Sequence, residues 1–210
     1  MIVIQQFCCG SDETHSFLKV VKPGLWITEI KEGYLRRYFL GQNIGLVIFM
    51  PQMQIRIIEQ ADNPALAKII RDTLAEFGAN HPGTVYYDPT TNHLFELFQN
   101  PLSAYFVAEM EGELVGGGGI YPTDGLPDKT CELVKMYLLP VARGRGIGKL
   151  IIADCLEKAA GIGFENVYLE TMPELQQAMK VYEKFGFQYL NGPLGNSGHF
   201  GCSRWMLKKL

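Results

Sequence analysis

The stretch PVARGRGIGKLI, from Pro140 to Ile151, decides the fold, because it places three glycines and three basic residues within seven positions. An apolar run, CELVKMYLL, precedes it, and a helical pattern follows in which Ile151, Cys155 and Ala159 share one face. This order predicts a strand, a glycine-rich turn and the first turn of a helix. A helix N-terminus leaves amide N–H groups unpaired and carries about half a positive charge, so the turn predicts an anion site.

Two nucleotide-binding loops have a similar composition but a different spacing. A P-loop needs glycine where this chain has Arg143 and a hydroxyl residue where it has Leu150. A dinucleotide-binding turn needs a third glycine where the chain has Lys149 or Ile151. The spacing therefore argues against both nucleotide sites and leaves the pattern R-x-x-G-x-G.

The composition is typical of one globular domain with a substantial core. The chain has 210 residues, of which 47% are hydrophobic, and a net charge of −3. Because nucleic acid binding requires clustered Lys and Arg, this charge argues against a nucleic acid partner. The five cysteines are odd in number and include no C-x-x-C pair, so we expect them to be reduced and the protein to be cytoplasmic. The longest apolar stretch, IGLVIFM at 44–50, is too short to cross a membrane, and the N-terminus lacks a secretory signal.

The hydrophobic periodicity predicts a mixed α/β fold. A strand from Met53 is followed by two helices, three strands, a helix, a strand, a helix and two closing strands. This order indicates a central mixed sheet flanked by helices, in a single domain over 53–210. Residues 1–52 form an extension without a motif, a repeat or a linker composition. Either translation starts at Met53, which we expect, or the extension packs on the domain or across a homodimer.

The R-x-x-G-x-G pattern, formed by Arg143, Gly146 and Gly148, resembles the pyrophosphate loop of the GNAT superfamily of N-acetyltransferases. The longer segment from CELVKMYLL to YEKFGF is similar to the family's central strand, loop, helix, strand and helix, in order and spacing. The resemblance implies a GNAT-type domain in which acetyl-CoA lies in a V-shaped split between two parallel strands. It also implies main-chain contacts to the pyrophosphate from Arg143, Gly144, Arg145, Gly146, Ile147, Gly148 and Lys149, and to the pantetheine from Met136, Tyr137 and Leu138.

The resemblance also implies roles for particular side chains. Glu132 aligns with a glutamate that certain members use as general base, and Glu170 on the next strand is the second choice. Tyr182 matches the tyrosine that frequently acts as general acid toward the leaving thiolate. The residues by themselves leave a structural alternative for each role, because Glu132 could pair with a basic neighbour and a tyrosine on an apolar helical stripe is more often core. We expect the oxyanion to receive a main-chain N–H near Met136.

Together these features predict an acetyl-CoA-dependent N-acetyltransferase acting on a primary amine, carried by a small molecule or a peptide. The alternative is a catalytically silent sensor that binds acyl-CoA. Three loops, HPGTVYYDPTT, PTDGLPDKT and NGPLGNSGHFGC, should surround the amine, and their Asp88, Asp124 and Asp128 suit a cationic acceptor. The four histidines show no metal-ligand spacing, so we expect no metal. The glycine-rich loop over 192–201, which includes His199, is predicted to be a surface connection.

Overall fold

The computed structural model describes residues 52–210, so the expectations for residues 1–51 lie outside the described part. The sheet has seven strands: β1 (Met53–Ile57), β2 (Ala104–Met110), β3 (Glu113–Tyr121), β4 (Thr130–Leu138), β5 (Asn166–Thr171), β6 (Gln188–Tyr189) and β7 (Arg204–Lys209). Within the same residues there are four α-helices: α1 (Asn63–Glu76), α2 (Leu94–Leu97), α3 (Ile147–Ile162) and α4 (Gln176–Lys184). Their order along the chain is the order that the periodicity predicts.

The sheet is mixed, as predicted, with the strand order β1-β2-β3-β4-β5-β7-β6. Among the described strands, β4 and β5 form the one parallel pair. Their pairing joins 130–132 to 166–168 and ends at Glu132 and Tyr168. Beyond this point β4 continues to Leu138, while β5 pairs only with β7 as far as Thr171. The two strands therefore separate toward their C-terminal ends, which produces the predicted V-shaped split.

Different helices cover the two faces of the sheet. The apolar stripe of α3, which includes Ile151 and Cys155, packs into one core together with Tyr182 of α4. The stripe of α1, which includes Leu66 and Ile70, packs into a second core with residues of α2 and β2. Both stripes follow the helical period of about 3.6 residues, so each helix buries one face. Burial on both sides holds the strands, and with them the split, in place.

A bulge in β4 lies beside the split. The register with β3 shifts between Gly117 and Gly119, so two β4 residues, Lys135 and Met136, lie opposite one glycine. Lys135 has a φ of 52°, a left-handed value that is uncommon for a residue with a side chain. The hydroxyl of Tyr105 donates a buried hydrogen bond of 2.9 Å to the Lys135 carbonyl, which helps to hold this conformation.

Two further expectations concern cysteines and membrane segments. Cys131 and Cys155 are buried free thiols, and Cys202 is a half-buried one, in agreement with the reduced state expected for them. Cys8 and Cys9 lie outside the described residues. Over residues 52–210, none of the helices combines the length and the apolar character needed to cross a bilayer.

Candidate active site

The glycine turn forms a cradle of main-chain N–H groups in front of α3. Gly144 and Gly146 have φ values of 74° and 84°, and a Cβ atom on either would meet no atom within 4 Å. Among the described residues, the N–H groups of Gly144, Gly146, Ile147 and Gly148 have no hydrogen-bond acceptor, whereas that of Lys149 donates to the Gly146 carbonyl at 2.9 Å. The unpaired donors, the open space and the helix N-terminus together suit an anion such as a pyrophosphate.

Arg143 holds this turn instead of extending into it. Its N–H donates to the Pro140 carbonyl at 3.2 Å, and its Nε donates to the Leu138 carbonyl at 2.8 Å. Its guanidinium forms a bidentate ion pair with Glu76 at 2.6 and 2.7 Å and lies 5.1 Å from the centre of the Phe77 ring. The backbone and the side chain of Arg143 are therefore both engaged, and the N–H cradle begins one residue later, at Gly144.

The β4 residues proposed for the pantetheine lie along the open side of the split. Met136, Tyr137 and Leu138 follow the last residue that pairs with β5, so the β5-facing edge of β4 has no strand partner here among the described strands. Met136 and Leu138 pack toward α3, while Tyr137 packs toward the opposite core. Apart from the Leu138 carbonyl, which accepts from Arg143 Nε, the main chain that faces this edge is thus available to an extended ligand.

Glu132 lies at the apex of the split. It belongs to the last residue pair between β4 and β5, and only 3% of its surface is exposed. Burial raises the pKa of its carboxyl to about 7, and the charge of Glu170 acts in the same direction. A hydrogen bond from the Thr123 hydroxyl and the positive charges of His199 and Lys135 act in the opposite direction and lower the pKa. The Thr123 hydroxyl donates at 2.5 Å to Oε2. A carboxyl with a pKa close to neutrality can accept and release a proton under physiological conditions.

Three titratable groups that are far apart in the sequence meet beside this apex. One ligand atom each of Glu132, Glu170 and His199 lies within 4.8 Å of the others. The two oxygens of Glu170 already accept hydrogen bonds of 2.8 Å from the hydroxyls of Tyr168 and Ser197. Carboxylates and imidazole are also groups that can hold a metal ion. We predicted no metal from the spacing of the histidines along the sequence, and that spacing does not show that these three groups lie close together in space.

Asp88 forms a buried ion pair with Lys135 in the same region. Lys135 Nζ lies 2.6 Å from Asp88 Oδ2, with side-chain exposures of 4% and 18%, and His199 Nε2 lies 3.6 Å from that oxygen. Burial alone would raise the pKa of Asp88, but the nearby His199 imidazole, the Lys135 ammonium group and the Thr90 hydroxyl hold it well below its ordinary value. Asp88 therefore already has a cationic partner, contrary to the idea that it awaits a cationic acceptor.

A cavity of about 560 Å³ opens beside these groups. The three loops expected to surround the amine all contribute to its lining, and so do Glu132 and Lys135 of β4. The loop over 192–201 is anchored to its neighbours: the Asn196 N–H donates to the Asp124 carbonyl at 2.8 Å, and the Gly201 N–H donates to the Gly83 carbonyl at 2.9 Å. The interpretation of this loop as a mere surface connection is therefore incomplete, because it forms one wall of the cavity.

Tyr182 lies on the other side of β4 from this cluster. Its side chain is buried in the α3 core, where its ring contacts the edge of Phe187 with the ring centres 5.8 Å apart. Its hydroxyl forms no hydrogen bond with the described residues. Burial raises its pKa well above the ordinary value, so the phenol stays protonated at neutral pH.

Three features are combined in this structure: a mixed sheet that splits between two parallel strands, an N–H cradle beside the split, and a protonatable carboxyl at its apex. This combination is typical of the class of acyltransferases that use a CoA thioester. The chain belongs to the Acetyltransferase (GNAT) family, whose sequence model matches residues 66–187. It is 41% identical over 162 residues to YjgM of Escherichia coli K12, an uncharacterized N-acetyltransferase, and the match covers 76% of this chain and 97% of that one. The chain is thus an acetyl-CoA-dependent acyltransferase.

Solved structures share the fold at low sequence identity. A GNAT-family acetyltransferase from Staphylococcus aureus Mu50 has a TM-score of 0.67 at 17% identity, with 75% of this chain and 99% of that chain covered. The yncA protein of Salmonella typhimurium, a putative acetyltransferase solved with acetyl-CoA, has a TM-score of 0.59 at 17% identity, with coverages of 75% and 94%. These likenesses confirm the predicted fold class.

The raised pKa of Glu132 predicts a pH-dependent stability. The carboxyl has an ordinary pKa of 4.5 and a folded-state pKa of about 7. Between these values the folded protein binds the proton more tightly than the unfolded chain does, so the free energy of unfolding falls as the pH rises. We expect Glu132→Gln, which is neutral at every pH, to flatten this fall in Tm measurements across that range. The exposed Glu113→Gln is the matched control, and an equally steep fall in both variants would contradict the prediction.

Proposed function

We propose that the protein transfers the acetyl group of acetyl-CoA to a primary amine by direct attack of the amine on the thioester. The observation that carries this proposal is Glu132, a nearly buried carboxyl whose pKa of about 7 places its titration where a general base works. It lies where the split opens and also lines the cavity. Acetyl-CoA bound to a neighbour of the same fold supports the co-substrate.

The main chain on one side of the apex would hold the co-substrate. The free N–H groups of Gly144, Gly146, Ile147 and Gly148 suit the pyrophosphate, and the open edge of β4 over 136–138 suits the amides of pantetheine. Arg145 and Lys149 are exposed beside the cradle and add positive charge. Arg143 would act by positioning the turn, because all three nitrogens of its guanidinium already donate to Leu138 or Glu76.

The acceptor would approach from the cavity. A free primary amine with a pKa near 10 is mostly protonated at neutral pH, so Glu132 would first remove a proton from the ammonium group. The amine then attacks the acetyl carbonyl, and a main-chain N–H near Met136 would stabilise the oxyanion. As the C–S bond breaks, Tyr182, which is protonated at neutral pH, would donate its proton to the thiolate, and the second proton lost by the nitrogen would then restore the phenol.

The contacts of the two glutamates favour Glu132 over Glu170 as the base. Glu170 is already engaged by two hydroxyl groups, those of Tyr168 and Ser197, each of which donates a hydrogen bond to its carboxylate. From the described part of the chain, Glu132 accepts one side-chain hydrogen bond, from Thr123, and it is more deeply buried than Glu170. We further propose that 53–210 is the catalytic domain and that the protein works in the cytoplasm, where its free thiols would stay reduced.

The decisive experiment follows acetyl-CoA consumption as free thiol across a panel of small amines, peptide N-termini and lysine-containing peptides. We expect turnover with at least one class, and a strong loss in Glu132→Gln. The exposed Glu113→Gln should retain the parent rate. Binding of acetyl-CoA without turnover on any member of the panel would contradict the proposal and favour the silent acyl-CoA sensor.

Acetyl-CoA should raise the Tm of the protein, because a ligand present at 100 times its Kd adds about 2.7 kcal/mol to the free energy of unfolding. Gly146→Asp should abolish this increase, since it places a negative charge beside the N–H cradle. Gly146→Asn is the matched control: it has a similar size, tolerates the left-handed φ of 84° better than most residues and adds no charge. If acetyl-CoA raised the Tm of the parent and of both variants equally, the pyrophosphate would have to bind elsewhere.

Tyr182→Phe should lower kcat by about 100-fold while the KM for acetyl-CoA changes little, because the variant loses only the proposed proton donor. The ring would still pack against Phe187. Tyr189→Phe is a suitable control, since Tyr189 is exposed and its hydroxyl donates to Glu183, its one hydrogen-bond partner within residues 52–210. A kcat equal to that of the parent would contradict the prediction and would mean that Tyr182 has only a structural role.

A further inference from the structure

Acetylation of a protonated amine releases one proton in each turnover. The ammonium group loses two protons when it becomes the amide, and the CoA thiolate takes up one of them. The other proton, which Glu132 accepts in the proposed function, must reach solvent before the next cycle. Only 3% of the Glu132 surface is exposed, so its proton needs a path through neighbouring groups.

His199 belongs to the loop over 192–201, lines the cavity and lies close to Glu132. Its nearest ligand atom is within 4.8 Å of those of Glu132 and Glu170, a distance that one bridging water can span. Its Nε2 is 3.6 Å from Asp88 Oδ2, and its side chain is 18% exposed, far more than Glu132. The charged and titratable groups around it are thus Asp88, Glu132 and Glu170, with Lys135 behind Asp88.

The other neighbours of Glu132 are less suited to pass on a proton. Thr123 donates its hydroxyl hydrogen to Glu132, and the Glu170 carboxylate is held by two hydroxyl donors. Lys135 is 4% exposed and its ammonium group is paired with Asp88. Imidazole can accept a proton at one ring nitrogen and release one from the other, so a histidine can connect a buried acid with solvent.

We propose that His199 carries the proton from Glu132 to solvent, and that the Asp88 carboxylate orients its ring. The loop over 192–201 then has a defined task, because its Ser197 hydroxyl contact to Glu170 and its N–H contacts to Asp124 and Gly83 hold His199 beside the base. This role rests on the proposed function, in which Glu132 is the general base. His199 is accordingly a relay residue and makes no contact with the acetyl group.

The test uses the full chain with His199→Gln, acetyl-CoA and an amine that the parent acetylates. We expect kcat at neutral pH to fall by about tenfold to 100-fold with little change in the KM for acetyl-CoA. Added imidazole, or a higher concentration of a buffer of similar pKa, should restore much of the rate in this variant and leave the parent unchanged. His93→Gln, on an exposed histidine outside the cluster, is the matched control and should behave as the parent.

Two outcomes would overturn the relay while leaving the acetyltransferase intact. One is an unchanged kcat in His199→Gln. The other is a lowered kcat that neither imidazole nor buffer restores, since this would mean that His199 serves only to shape the cavity wall. If the parent itself acetylates no amine in the panel, the proposed function fails and the relay fails with it. This result differs from the two outcomes above, in which the parent is active and only the relay is wrong.

Discussion

The early end of the pairing between β4 and β5 is the constraint on which the site depends. Three residue pairs join the strands before β5 continues with β7 alone, and β4 then bulges at Lys135. A left-handed φ on such a residue costs about 1–3 kcal/mol, which the hydrogen bond from Tyr105 and the ion pair with Asp88 help to offset. The open edge of β4 and the N–H cradle of the following turn then lie on one connected segment of backbone, and Glu132 marks the point where the split begins.

Two carboxyls in one cavity differ in ionisation because their surroundings differ. Asp88 has the Lys135 ammonium group, an approaching imidazole and the hydroxyl and N–H of Thr90, so it stays charged and holds its neighbours in place. Glu132 is more buried, has the Thr123 hydroxyl as its one side-chain donor in the described structure and lies near another carboxylate, so its protonated form is favoured. A charged orienting group beside an exchangeable acid is an arrangement suited to proton transfer.

The arginine of the R-x-x-G-x-G pattern illustrates how a motif residue can serve a site without entering it. The Arg143 guanidinium connects the glycine turn to Glu76 at the end of α1, and its Nε fixes the Leu138 carbonyl at the end of β4. Three elements are thereby held together at the cradle. In the proposed function, the attraction for the pyrophosphate then comes from the helix N-terminus and from N–H groups whose direction is set by the backbone.

The sequence alone determined the elements, the mixed α/β class and the glycine turn in front of α3, because hydrophobic period and glycine spacing are local properties that a chain carries without being folded. It also pointed to Glu132 and Tyr182 through a resemblance. It did not reveal that Arg143 is engaged with Glu76, that Lys135 neutralises Asp88, or that the loop carrying His199 forms a wall of the cavity. Glu132 and His199 are 67 positions apart, and only the packing of β4, β5 and the 192–201 loop brings them together. Burial and charge at such a meeting point depend on contacts that are distant in sequence, so the tertiary structure alone decided which groups can exchange a proton.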